Sequence, residues 1–167
     1  MKHLAACKIF EDIRNEPYLV STSPMVEAPN CYFKGIRLIK ELAQLGYAVK
    51  GHVADIDWAD TPVPDEIVNL RPKDFPSEQH FYLSVLIDGV WRVIDPSIDP
   101  QTATLGFRMV EFEGDARTCF DLQRKLSQKE QIEVFQKMAD IKMIEDYFQK
   151  NAVFLQAINE WLEKSRS

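Results

Sequence analysis

The chain has 167 residues, of which 46% are hydrophobic and 28% are charged, and its formal net charge is −6 at pH 7. This composition is typical of one soluble globular domain, and the length allows a substantial hydrophobic core. The acidic balance argues against a nucleic-acid-binding protein, which needs a basic face. The sequence has no run of about 18 apolar residues that would predict a membrane span.

The cysteines and the first residues of the chain indicate a reducing compartment. Three cysteines are too few for a disulfide framework, and no Cys-x-x-Cys or His-x-x-x-His spacing predicts a metal site. The segment from Leu4 to Cys7 resembles a lipoprotein cleavage box, but only three residues precede it, so the apolar stretch of a signal peptide is missing. We therefore expect a cytoplasmic protein that uses neither a metal nor another cofactor.

The first third of the chain predicts two helices separated by a loop. Apolar residues at helical spacing predict a helix over residues 3–14, and three prolines place residues 15–30 in a loop. A second helix begins at Cys31, because Asn30 is a good N-cap, and it ends before Gly46, which suits the position after a helix end.

A strand and a long loop follow the second helix. Residues 47–57 carry the β-branched and apolar pattern of a strand. Residues 58–79 contain four prolines and predict a loop with about one turn of helix at 64–70. A loop of this length in a compact domain is often functional, as a lid or as the wall of a cleft.

Residues 80–95 carry the clearest structural signal in the chain. Two β-rich runs flank Asp88-Gly89, a pair of residues that favours a two-residue hairpin turn. This segment therefore predicts two antiparallel strands joined directly.

The last forty or so residues predict helices. Ser127 and Glu130 form a capping box, and a mostly apolar stripe runs from residue 132 to residue 158. We expect Asn151 to divide this region into two helices, and the stripe to be core or, if exposed, the interface of a homodimer. The predicted fold is α+β, with N-terminal helices packed on a small antiparallel β-sheet and a helical C-terminal segment.

The hairpin register brings a histidine and a carboxylate together. If the two-residue turn closes the hairpin, the numbers of paired residues add up to 177, so that His80 lies opposite Ser97 and Tyr82 opposite Asp95. His80 and Tyr82 share a face because side chains alternate along a strand, which places Asp95 diagonally from His80, within reach of the ring. A one-residue bulge would move Asp95 to the other face.

Cys31 is the third member of this candidate set. It stands at the start of a capped helix, where the aligned peptide dipoles favour a thiolate. A cysteine nucleophile, a histidine base and an aspartate that orients the histidine are the elements of thiol catalysis.

Three segments in chain order resemble the transglutaminase-like superfamily of papain-like thiol enzymes. They are Asn30-Cys31 with its helix ending in Leu45-Gly46-Tyr47, then His80-Phe81-Tyr82-Leu83-Ser84-Val85, and then Trp91-Arg92-Val93-Ile94-Asp95-Pro96. Residues 57–67 also look like the stretch between cysteine and histidine in small bacterial members. The resemblance implies a Cys31, His80 and Asp95 triad that performs acyl transfer or hydrolysis on an amide or ester.

The resemblance covers about residues 15–100. We expect a single domain over residues 1–167, with a transglutaminase-like core at 15–126 and a helical extension at 127–167 packed on it. Residues 101–167 resemble no family, so the helical end of the chain is expected either to shape the site or only to cover the core.

The oxyanion donors depart from the papain-like pattern. Papain-like members often carry a glutamine shortly before the nucleophile, but no glutamine precedes Gln44 in this chain. The backbone N–H of Cys31 is one natural donor at a helix start. Tyr18, Asn30 and Trp58 are alternatives for the second donor.

Charge and residue type leave alternatives for substrate and role. Residues 52–99 carry a net charge of −7, which is either a solvated surface or a rim that favours an amine-bearing substrate beside a peptide or amide. His52 is a rival base, and Cys31, His80 and His52 together could form a metal site. The alternative to an enzyme is a catalytically inactive domain of the same fold that acts in binding or as a scaffold.

Overall fold

The computed structural model describes residues 1–73, 78–114 and 117–166. The helices are α1 (Lys2–Arg14), α2 (Cys31–Gln44), α3 (Asp65–Val68), α4 (Pro100–Ala103), α5 (Gln128–Met138) and α6 (Ile141–Lys164), with a 3-10 turn at Trp58–Asp60. The strands are β1 (Val49–Ile56), β2 (Glu78–Ile87), β3 (Val90–Ile94) and β4 (Arg124–Lys125). Within these residues no helix is both long and apolar enough to cross a membrane.

The strands form one antiparallel sheet in the described part of the chain, in the order β3-β2-β1-β4. Helices and this small sheet together confirm the predicted α+β class. The short strand β4 and the short helix α4 are additions to the predicted elements, because neither is long enough to show a periodic pattern in the sequence.

The hairpin between β2 and β3 has the predicted register. Asp88 and Gly89 both have positive φ, at 49° and 78°, which is the backbone of a type I′ turn. The ladder runs from Ile87 opposite Val90 to Leu83 opposite Ile94, without a bulge. Since β3 ends at Ile94, Asp95 is the first residue beyond the strand rather than part of the ladder.

Helix α2 begins and ends where its caps predict. The side-chain oxygen of Asn30 accepts hydrogen bonds from the N–H groups of Tyr32 and Phe33. At the other end, Gly46 has a φ of 76°, and the N–H of Tyr47 donates to the carbonyl of Leu42 over 3.0 Å, as in a Schellman motif. The start of this helix is therefore a fixed point in the fold.

Two apolar clusters form the core. One packs α1 and α2 against the sheet, with Phe10, Leu38 and Leu83 fully buried in it. The other packs residues of α6, including Phe154 and Ile158, together with Trp58 and other residues of the loops. Helix α6 thus packs mainly on loop residues.

The prediction of a helix break at Asn151 is wrong. Helix α6 runs through this residue, whose side-chain amide donates to the carbonyl of Tyr147 over 2.9 Å. The chain breaks instead at Asp140, which caps α6 by accepting from the N–H of Met143. The apolar stripe is divided as well, since Ile132 on α5 is 50% exposed whereas Ile158 is buried.

Candidate functional site

His80 and Asp95 form a buried, directly bonded pair. The Nε2 of His80 lies 2.7 Å from Oδ2 of Asp95, and the two side chains are 1% and 0% exposed. His80 stands on β2, and Asp95 follows the end of β3, so the hairpin register brings the two groups together as the sequence predicts.

Asp95 is held by the chain around it as well as by His80. Its Oδ1 accepts from the backbone N–H and the hydroxyl of Ser97, and its Oδ2 accepts from the backbone N–H of Cys119 over 2.8 Å. Burial alone would raise the pKa of Asp95, but His80 and these donors lower it below its ordinary value. The carboxylate is therefore ionised and fixed in orientation.

Cys31 lies near the same imidazole. It is half-buried at the first position of α2, and it is close enough to His80 to raise the pKa of the ring. Asp95 occupies Nε2 of His80, which leaves Nδ1 as the other ring nitrogen. Burial lowers the pKa of His80, but the charge and hydrogen bond of Asp95, with a smaller effect of Cys31, raise it to about 10.

The surroundings of His80 favour a positively charged imidazolium ring. A histidine with a raised pKa holds its proton at neutral pH and is available as a proton donor next to the sulfur. Asp95 stabilises the positive ring and fixes its rotation, as an orienting carboxylate does in a catalytic triad.

The three candidate oxyanion donors differ in what they bind. The amide of Asn30 is occupied, since its oxygen caps α2 and its nitrogen donates to Ser21 over 2.9 Å. Tyr18 is buried and lies within electrostatic reach of Cys31, and burial followed by that nearby charge raises the pKa of its phenol. The indole N–H of Trp58 is buried and makes no hydrogen bond to any described residue. Of the three side chains, only that of Asn30 is fully committed elsewhere.

Three residues that support the site were not identified from the sequence. Ser97 and the backbone of Cys119 hold Asp95, although Cys119 had no polar partner in the sequence around it. Lys34, one turn after Cys31, is fully buried, and its ammonium donates to the carbonyls of Arg14, Glu16 and Ser97 over 2.6–2.9 Å. A lysine on the apolar side of an amphipathic helix is a signal that could have identified this contact.

His52 does not share the surroundings of His80. Its ring stacks on Tyr82, its Nε2 lies 2.8 Å from the hydroxyl of Ser84, and burial, Lys125 and Lys50 lower its pKa. No acid is shown orienting it among the described residues. The same part of the chain contains no group of three histidine, cysteine or acidic residues that could hold a metal ion, so the alternative metal site at Cys31, His80 and His52 lacks support.

The acidic segment between residues 52 and 99 is not a purely exposed surface. Asp95 is enclosed in the site, and Asp99 is 2% exposed, where it caps α4 and accepts from the N–H of Tyr18 over 2.8 Å. The net charge of residues 52–99 therefore overstates the negative electrostatic field that a substrate would meet.

No protein-family model matches this chain, and no curated protein or solved structure gives a significant match to it.

Proposed function

We propose that this protein is a transglutaminase-like thiol enzyme that transfers or hydrolyses the acyl group of an amide or ester. Cys31 is the nucleophile, His80 the general base and acid, and Asp95 the residue that orients His80. The observation that carries the proposal is the 2.7 Å contact of His80 Nε2 with Asp95, in a ring whose pKa is also influenced by the nearby thiol of Cys31.

The residues suit a two-step reaction. The thiolate of Cys31 attacks the acyl carbon and forms a C–S bond, while the bond to the leaving amine or alcohol breaks and the leaving group takes a proton from His80. Water or an amine then attacks the thioester carbon and gives a proton to His80, and the C–S bond breaks to release Cys31 as the thiolate that began the cycle. The carboxylate of Asp95 stays ionised throughout and stabilises the imidazolium.

The start of α2 supplies one oxyanion donor. Asn30 caps the N–H groups of Tyr32 and Phe33, whereas the N–H of Cys31 has no hydrogen-bond acceptor among the described residues. A backbone N–H at this position faces the developing negative charge and is reinforced by the helix dipole. Tyr18 and Trp58 remain the candidates for a second donor.

Thiol labelling tests the proposal without knowledge of the substrate. The protein is treated with iodoacetamide at pH 6 and pH 8.5, and the alkylated cysteines are quantified by peptide mass spectrometry. Cys31 should react at pH 6, whereas Cys7, an internal control on α1 whose pKa is raised by burial and nearby acids, should react only at the higher pH.

One variant separates activation by the triad from simple exposure of the thiol. The His80→Gln variant should remove the low-pH reactivity of Cys31 while leaving Cys7 unchanged, because only Cys31 depends on the imidazolium. If Cys31 reacts no faster than Cys7 at pH 6, the thiol is not activated, and the alternative of an inactive binding or scaffold domain is favoured instead.

A further inference from the structure

A second group of polar side chains lies beside the proposed triad, and one of them, Trp58, is also a candidate oxyanion donor. We call this group, Arg71, Glu78, Tyr147 and Trp58, the arginine pocket. The Arg71 side chain is 8% exposed, and its Nη2 lies 3.9 Å from Oε2 of Glu78, which is an ionic contact longer than a hydrogen bond. The same Oε2 accepts from the phenol of Tyr147 over 2.9 Å.

The arginine pocket holds buried donors without acceptors. Nε and Nη2 of Arg71 and Nε1 of Trp58 are all inaccessible to water and make no hydrogen bond to any described residue. Trp58 lies close enough to Glu78 to lower the pKa of that carboxyl group. Unpaired buried donors are rare in folded proteins and usually indicate a missing partner.

The chemistry of these donors defines that partner. Nε and Nη2 form the edge of a guanidinium that binds the two oxygens of a carboxylate through parallel hydrogen bonds. Three donors without a hydrogen bond call for an acceptor, and a protonated amine would offer none.

The strand geometry places the pocket near the reacting groups. Glu78 and His80 are two residues apart on β2 and share a face, so their positions differ by roughly 7 Å along the strand. Tyr147 donates its phenol hydrogen bond to Glu78, and Cys31 is one of the groups that raise the pKa of Tyr147. The arginine pocket therefore lies within electrostatic reach of the proposed nucleophile.

We propose that the arginine pocket binds a carboxylate of the acyl substrate. The Nε and Nη2 edge of Arg71 donates hydrogen bonds to the two carboxylate oxygens, and the indole N–H of Trp58 lies beside them. The carboxylate lies roughly 7 Å from the scissile carbonyl, the separation of His80 and Glu78 along the strand. This inference rests on the proposed thiol-enzyme function and names its substrate class. Burial raises the pKa of Glu78, which favours the uncharged form of this carboxyl group beside a bound carboxylate.

Matched ester substrates test this specificity. The p-nitrophenyl monoester of adipic acid carries a carboxylate at about the required distance, and p-nitrophenyl heptanoate is a neutral ester of similar length. The wild-type protein should show a higher kcat/KM for the anionic ester. Arg71→Gln should lower that value by roughly 30-fold, within the range for losing hydrogen bonds to a charged group, and leave the neutral ester unchanged.

Two further variants identify what each member of the pocket does. Arg71→Lys should restore only part of the loss, because an ammonium lacks the two-pronged edge. Glu78→Gln should retain or improve the reaction of the anionic ester, since it removes a competing charge. Equal effects of Arg71→Gln on both esters, or a weakened anionic ester in Glu78→Gln, would overturn the proposal.

A binding measurement separates this inference from the proposed catalysis. Adipate is titrated into the unmodified protein and into Arg71→Gln, with 1,6-hexanediol as the neutral control, and the chemical shifts of the protein are followed by NMR. Saturable binding of adipate that is lost in Arg71→Gln supports the pocket even if Cys31 is inert to iodoacetamide. No binding of adipate, or equal binding of the diol, overturns the pocket whether or not Cys31 is activated.

Discussion

Replacing Lys34 by Met should show how strongly the proposed site depends on one buried ammonium. Lys34 stands three residues after Cys31 on α2, and its Nζ donates to the carbonyls of Arg14, Glu16 and Ser97 over 2.9, 2.6 and 2.9 Å. These contacts fix the end of α1 and the segment after Asp95 to the helix that carries the nucleophile. Burial lowers the pKa of Lys34 to about 8, so the group still carries its charge at neutral pH.

The cost follows from the three carbonyls. Methionine fills a similar volume but leaves three buried acceptors unpaired, each costing about 1–3 kcal/mol. Removing the ammonium also removes its own desolvation penalty, which offsets part of this loss. We expect a net destabilisation of about 3–5 kcal/mol, the range found when one partner of a buried charged contact is lost.

Urea unfolding followed by circular dichroism measures this change. The midpoint should fall by roughly 2 M at an unchanged slope, given slopes of about 1–3 kcal/mol/M for small proteins. Lys40→Met is the matched control, because Lys40 lies on the same helix and is exposed, and it should shift the free energy by no more than about 0.5 kcal/mol. If Lys34→Met unfolds within about 1 kcal/mol of this control, the three carbonyl contacts do not hold the site together.

Three further predictions concern the triad and its support. Asp95→Asn should lower the rate of Cys31 alkylation at pH 6 by roughly 10²–10⁴-fold, because the amide no longer stabilises the imidazolium; an unchanged rate would remove the orienting role. The charge of His80 stabilises the fold fully below the unfolded pKa of about 6.5, and this contribution is lost as pH rises towards the folded pKa of about 10. The urea midpoint of the wild-type protein should therefore fall across that pH interval. A flat profile in wild type, or an equal fall in His80→Gln, would contradict this expectation. Gly35→Ala should destabilise the folded protein by about 1–3 kcal/mol despite the better helix propensity of alanine, because the new Cβ would lie 2.6 Å from a ring carbon of Phe81. A Tm equal to or above that of wild type would show that the Phe81 ring moves aside.

Sequence reasoning reached the parts of the site that short-range geometry controls. The turn at Asp88-Gly89 fixes the register of the hairpin, and the register fixes which residue faces His80. The cap at Asn30 fixes where α2 begins and hence the position of Cys31 at its first residue. Each of these depends on hydrogen bonds between residues close in the chain, which residue type and spacing reveal directly.

The same reasoning failed where several local solutions compete. Asn151 looks like a helix breaker, but its side chain bonds back to Tyr147 within the helix, and packing of Phe154 and Leu155 on the core supports the continuous helix. The break falls at Asp140 because its side chain caps the next helix. Local propensity cannot rank these possibilities without the tertiary contacts that decide between them.

Residue types and their spacing are enough to predict the α+β class, the hairpin register, the start of α2 and the pairing of His80 with Asp95. Long-range packing is needed to show that Ser97 and Cys119 hold Asp95, that Lys34 binds three separate carbonyls, and that Arg71 is buried with unused donors. The two groups differ in the range of the interactions that set them. Caps and two-residue turns are set by neighbours in the chain, whereas buried polar contacts join residues tens of positions apart and depend on how the helices and loops close over the sheet.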